Sequence, residues 1–88
     1  MKQYHITSIE QLNDYCLRLS FDDQTEGIID FKEKIRIGGI FKKLADSTFF
    51  SLARISNDSR FIQWDDEIDF CADALHEEVR MSHLEPVL

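Results

Sequence analysis

Short runs of alternating hydrophobicity along this chain give way to short runs at helical spacing, and Asn, Asp, Ser and Gly sit between them. Residues 4–10 alternate loosely and read as a first strand, with Asn13-Asp14 as the turn that follows. Residues 14–21 are the cleanest strand. Tyr15, Leu17, Leu19 and Phe21 fall on one face, and Cys16, Arg18 and Ser20 on the other. Asp22-Asp23-Gln24 is a second turn, and residues 27–31 read as a third strand with Ile29 and Phe31 on one face. Three short strands with tight connections predict an antiparallel meander that packs one face on a core.

Gly38-Gly39 then breaks the pattern. Ile40, Phe41 and Leu44 recur at helical spacing, which predicts one or two helical turns ending near Asp46, with Ser47-Thr48 as a turn. Residues 49–55 and 60–64 read as a hairpin joined by Ser56-Asn57-Asp58-Ser59, a run with strong turn chemistry. The last predicted element is a helix over about residues 71–80, with Ala74, Leu75 and Val79 as its apolar stripe. Asp69 and Asp73 suit the positive end of its dipole and Arg80 the negative end. Periodicity is lost from Met81 onward. The expected fold is α+β: a small, mostly antiparallel sheet (three-strand meander plus a hairpin) with a short central helix and a C-terminal helix. Residues 1–88 are expected to form a single domain, with an ordered core over about 4–80 and a tail over 81–88.

Composition is consistent with that picture. Eighty-eight residues leave room for one core, and a 43% hydrophobic fraction, including seven Phe, two Tyr and one Trp, suffices to pack it without staples. The N-terminal residues contain no apolar run of the signal-peptide kind, and no stretch is long and apolar enough to span a bilayer. The expectation is a soluble cytoplasmic protein, in which the widely separated Cys16 and Cys71 are free thiols.

Charge alters the picture more. The net charge is −7, and seven acids (Asp65, Asp66, Glu67, Asp69, Asp73, Glu77 and Glu78) lie between residues 65 and 78 without a Lys or Arg among them. The other ten acids balance all ten bases, so the whole net charge resides in one short segment. The opposite bias runs over residues 32–43, where Lys32, Lys34, Arg36, Lys42 and Lys43 meet one acid, Glu33. A chain with this balance repels a phosphate backbone unless the basic stretch is presented alone. The segregation suggests complementarity within the molecule or across a dimer, against a plainer reading of two solvated surfaces that differ in sign.

Motifs that carry chemistry are absent or incomplete. Acids at 65, 67, 69 and 73 mimic a loop of calcium ligands, but Phe70 stands where such a loop needs Gly and His76 where it needs a bidentate Glu. His5, His76, His83, Cys16 and Cys71 lack the close spacing of a zinc site, and they read as surface histidines and buried thiols. Cys71 falls at a helix N-terminus, which favours a thiolate, but in acidic surroundings that oppose one, and a semi-buried structural role is expected. Gly38-Gly39 before Lys42-Lys43 resembles a phosphate cradle in composition only, and the glycines read as the means of turning into a short helix. Tyr15, Phe21, Phe31, Phe41, Phe50 and Trp64 fall at core-facing positions and are not interleaved with cations as on a nucleic-acid stacking platform.

One ordered pattern covers nearly the whole chain, from about residue 6 to 78. It comprises Leu17-x-Leu-x-Phe-Asp-Asp, Ile29-Asp-Phe, Gly38-x-x-Phe41-x-x-Leu44-x-Asp46 and Phe50, then Ile62-x-Trp64-x-x-x-x-Asp69-Phe-x-x-Asp-x-Leu75. This pattern resembles a family of small bacterial domains catalogued as domain of unknown function 2442. The resemblance implies an α+β fold, members that stand alone or are fused to a helix-turn-helix domain, and gene neighbourhoods like those of toxin–antitoxin pairs. Some relatives carry a molybdopterin-nucleotide biosynthesis label, which no residue here supports. The family brings no catalytic residues. This chain departs from it after Trp64, where Asp65-Asp66-Glu67 replaces a Pro followed by Asn-Gly, and at Cys71-Ala72, where relatives often have Ser or Asp and then Pro.

The expected function is a non-enzymatic protein-binding module, antitoxin-like or regulatory, with no cofactor and no metal. It would present a sheet edge, or the acidic turn with Trp64 as anchor and Asp65, Asp66, Glu67, Asp69 and Asp73 around it, to a small basic protein. Homodimerisation through an edge strand is the expected free state. The alternatives are a nucleic-acid-associated regulatory domain that uses Lys32, Lys34, Arg36, Lys42 and Lys43, and a cofactor-pathway protein related to molybdopterin.

Overall fold

The structure, a computed structural model, describes residues 3–65 and 67–82, Ser82 by its backbone alone. Strands β1 (Ile6–Gln11), β2 (Cys16–Phe21) and β3 (Glu26–Asp30) come first. Helix α1 (Lys32–Ile37), a 3-10 helix (Gly39–Ala45) and helix α2 (Ser47–Phe50) follow, then β4 (Arg54–Ile55), β5 (Phe61–Gln63), β6 (Asp69–Cys71) and helix α3 (Ala72–Ser82). The strands form two antiparallel sheets, β1-β2-β3 and β4-β5-β6, so the fold is α+β and the expected hairpin carries a third strand.

The first sheet follows from period-two patterning. Leu17 lies opposite Ile29 and Leu19 opposite Gly27. Leu17, Leu19, Phe21 and Ile29 are all buried on the same face. Tyr15 departs from the expected strand: it and Asp14 adopt φ of 60°, which places both in the β1–β2 turn. The Tyr15 hydroxyl donates to the Ala45 carbonyl at 2.5 Å, and its ring meets Phe50 edge-on at 5.3 Å.

The middle of the chain holds the largest departures. Helix α1 was not signalled by the hydrophobic pattern, because it buries none of its residues. Gly38 and Gly39 then take φ of 91° and 66°, the left-handed conformation that lets α1 turn into the 3-10 helix, as the glycine pair suggested. Residues 47–50 are a helical turn rather than a turn and strand start. The Asp46 carboxylate accepts from the Thr48 and Phe49 amides and caps that helix, which leaves Arg54–Ile55 as the strand.

The buried stripe of α3 is Ala72, Leu75, His76 and Val79, an i, i+3, i+4, i+7 pattern, while Ala74, assigned to the stripe from sequence, is exposed. The stripe packs on the sheet where Gly27 leaves space for Val79. His76 is not a surface residue. It is 6% exposed, its Nε2 lies 2.8 Å from Asp23 and 3.3 Å from the Thr25 hydroxyl, and Tyr4 stacks on its ring at 3.6 Å. Burial tends to raise the Asp23 carboxyl, but the Thr25 amide and hydroxyl and His76 outweigh it and bring Asp23 down to about 2. Helix α3 continues through Met81 and Ser82, so the start of the expected tail is helical; residues 83–88 lie outside the described residues.

Candidate functional site

The acidic corner is the β5–β6 turn. Its first residue, Trp64, is 2% exposed and donates from Nε1 to the Phe50 carbonyl at 2.9 Å. Phe31, Phe50 and Phe70 surround it at 5.4–5.8 Å between ring centroids. Trp64 is therefore a core residue, and the role of surface anchor expected for it is corrected: burial of its indole is what holds the corner in place. The Trp64 amide donates to the Ile68 carbonyl and closes the turn, with Ile68 fully buried beneath it.

Asp65 builds the turn from within. Its Oδ1 accepts from the Glu67 and Ile68 amides, both at 2.9 Å, an Asx turn. The Glu67 amide, then that of Ile68 and the Lys43 ammonium, hold its carboxyl below the usual range. Lys43 reaches across from the 3-10 helix to Asp65 Oδ2 at 3.2 Å and Glu67 Oε1 at 3.0 Å, and these two carboxylates raise the Lys43 ammonium in turn. Asp66 lies outside the described residues. Asp69 is exposed and starts β6, a strand between the acidic turn and α3 that the sequence reading did not include.

Asp73 faces elsewhere. Arg60 grips it with Nη1 at 2.8 Å and Nη2 at 3.1 Å, and the Tyr4 amide donates to the same carboxylate at 2.9 Å. Arg60 also donates to the Tyr4 carbonyl. Those contacts, the Arg60 hydrogen bonds foremost, lower the Asp73 carboxyl to about 2. Asp73 therefore clamps the start of the chain to α3 and is not part of a free acidic rim. Among the described residues no three His, Cys, Asp or Glu side chains gather in a way that would hold a metal ion.

The basic stretch is largely consumed by ion pairs. Lys32 pairs with Asp30 at 3.1 Å, Lys34 with Glu78 at 2.8 Å and Arg36 with Glu33 at 2.5 Å, and Lys43 is engaged as described. Among the described residues of the stretch, Lys42 is the one cation without an ion pair. The complementarity inferred from charge segregation is thus realised within one molecule, through Lys43 to the turn and Lys34 to α3. The sequence offered the charges but not the pairings, since Lys34 and Glu78 are forty-four positions apart. The Asp23–His76 pair was missed for the same reason. Cys16 and Cys71 are free and half-buried.

The model of the DUF2442 family, described as a protein of unknown function, matches residues 6–80. The chain belongs to that family. No curated protein matches it. Among solved structures, the fold resembles that of a Nitrosomonas europaea protein named Putative DNA Binding Protein, with a TM-score of 0.80 at 19% identity over 97% of this chain. This DUF2442 chain spans 56% of the length of that neighbour, and at such identity the likeness is one of fold alone. No helix among the described residues is long and apolar enough to cross a membrane.

Proposed function

We propose that this DUF2442 domain is a non-enzymatic protein-binding module, antitoxin-like or regulatory, that works in the cytoplasm by contact with a basic partner. The observation that carries this reading is the fate of the charges: four of the five cations at 32–43 are paired to carboxylates of the same molecule. What remains for a partner is the acidic excess, with Asp69 and the outer face of Glu67 exposed at the corner. A field of this sign raises the on-rate of a cationic protein and disfavours a phosphate backbone.

The name of the Nitrosomonas neighbour keeps a nucleic-acid role as the second reading. In that reading Lys42 and the paired cations would have to exchange their carboxylates for phosphates, and each exchange would appear as a salt-dependent loss of affinity. The discriminating experiment is a capture assay from native cells across a salt series, run beside a gel shift on duplex DNA. A basic protein released by salt, and lost in an Asp65/Asp66/Glu67→Ala variant, is the expected result. A DNA complex abolished by neutralising Lys32, Lys34, Arg36, Lys42 and Lys43 would establish the second reading instead.

A further inference from the structure

The outer edge of β3 carries backbone groups without partners. Hydrogen bonds from the Phe21 amide to the Thr25 carbonyl and from the Phe31 amide to the Tyr15 carbonyl, both at 2.9 Å, set the phase of the β2–β3 ladder. With the register Leu17↔Ile29 and Leu19↔Gly27, odd-numbered residues of β3 bond to β2, and the N–H and C=O groups of Glu26, Ile28 and Asp30 point away from it. Among the described residues no hydrogen bond reaches those groups from the other side. All three residues are exposed, Ile28 at 50%. The remaining edges offer less. β1 gives its Ile6 amide to the Ser59 carbonyl and lies against β4, β4 has two residues, and β6 has three.

An open edge of five residues invites a strand, and its side chains select which one. On the outer face Ile28 sits between Glu26 and Asp30. A two-fold antiparallel pairing of β3 with a second copy that keeps all five residues in register centres on Ile28. It sets each Glu26 opposite an Asp30, and like charges directly opposite are unfavourable. Lys32 relieves Asp30 only in part, from an exposed position. A strand with cations at both flanking positions and an aliphatic residue between them satisfies the same edge.

We infer that β3 is the docking edge of this domain, and that its occupant is an extended segment of a partner protein patterned cation-x-aliphatic-x-cation, which adds to the first sheet as a fourth strand. This rests on the protein-binding reading above and names the partner's chemistry. It also turns the homodimer expected from an exposed edge into a heterologous complex.

The test uses the whole chain and the palindromic peptide Thr-Lys-Thr-Val-Thr-Lys-Thr, whose pattern is the same in either orientation. Amide NMR and hydrogen exchange should show protection of the Glu26, Ile28 and Asp30 amides, and a peptide with Glu in place of Lys should show none. Ile28→Pro removes the central outward donor without touching the β2 ladder, and it should weaken peptide binding about tenfold or more. Glu26→Lys makes the strand self-complementary and should convert a monomer into a concentration-dependent dimer by sedimentation. A wild-type dimer that protects the β3 amides would overturn the inference. Failure of the peptide to protect them, with a salt-sensitive basic partner still captured by Ile28→Pro, overturns the edge and leaves the binding-module reading standing. If the wild-type chain neither gains β3 protection from the peptide nor captures a salt-sensitive basic partner, both readings are overturned.

Discussion

Substituting Gly27 by Ala tests how α3 is seated on the first sheet. In an ordinary strand the change stabilises by about 0.5–1 kcal/mol, because Gly loses more backbone freedom on folding. Here the added methyl would stand 2.5 Å from Val79 Cγ1, 3.1 Å from Cγ2 and 3.3 Å from Cβ. Val79 is fully buried, so its methyls have nowhere to go, and overpacking of that kind costs about 1–3 kcal/mol. The net expectation is a loss of about 1 kcal/mol, or about 1 M in urea midpoint for a domain of this size. Val79→Ala alone removes two buried methyls, about 1.6 kcal/mol by transfer and more with the cavity. In the double variant the new methyl fills the vacated space, so the two losses should fall short of additivity by about 1 kcal/mol or more. Fluorescence of Trp64, the single Trp, reports unfolding because its indole is buried in the native state. A stabilised Gly27→Ala, or a double variant additive to within about 0.5 kcal/mol, would refute the packing described.

Trp64→Ala should cost about 3–5 kcal/mol, and Trp64→Phe, which loses the bond to the Phe50 carbonyl, about 1–2 kcal/mol. Thermal denaturation followed by circular dichroism measures both, and an unaltered melt with partner binding lost would restore the surface-anchor role to Trp64. Asp23 and Asp73 ionise near 2 in the folded protein against an ordinary 3.8. Their stabilisation is therefore complete above about pH 4 and fades as pH falls toward 2. Asp73→Asn should lower stability at neutral pH and flatten the pH dependence across that acid window in urea titrations; an unchanged slope would show that the Arg60–Tyr4 clamp does not form. Lys43→Ala uncovers the Asp65 and Glu67 carboxylates and should speed association with a basic partner at low salt, measured by stopped flow, with the gain vanishing at high salt.

Sequence patterning carried the first sheet, because Leu17, Leu19, Phe21 and Ile29 all lie on the one buried face of their strands and period-two spacing exposes that fact locally. It also carried the glycine turn, the broad position of α3 and the segregation of charge. It did not reveal α1, none of whose residues is fully buried, or α2, whose start depends on one Asp46 carboxylate reaching two amides. β6 was hidden because three residues are too few to display a period, and Phe70 is explained by the rings of Phe31 and Phe41, which come from distant segments.

The order of hydrophobic and charged residues by itself determined the fold class, the aromatic interior and the sign of the surface, since each depends on side-chain type and near-neighbour spacing. Which acid meets which base, whether Trp64 faces a partner or the core, and which strand is left with unpaired backbone were decided only by tertiary structure. Ion pairs such as Lys34–Glu78, aromatic contacts such as Phe31–Trp64 and open edges such as β3 exist only once segments far apart in the chain are brought together. No local pattern encodes that distance.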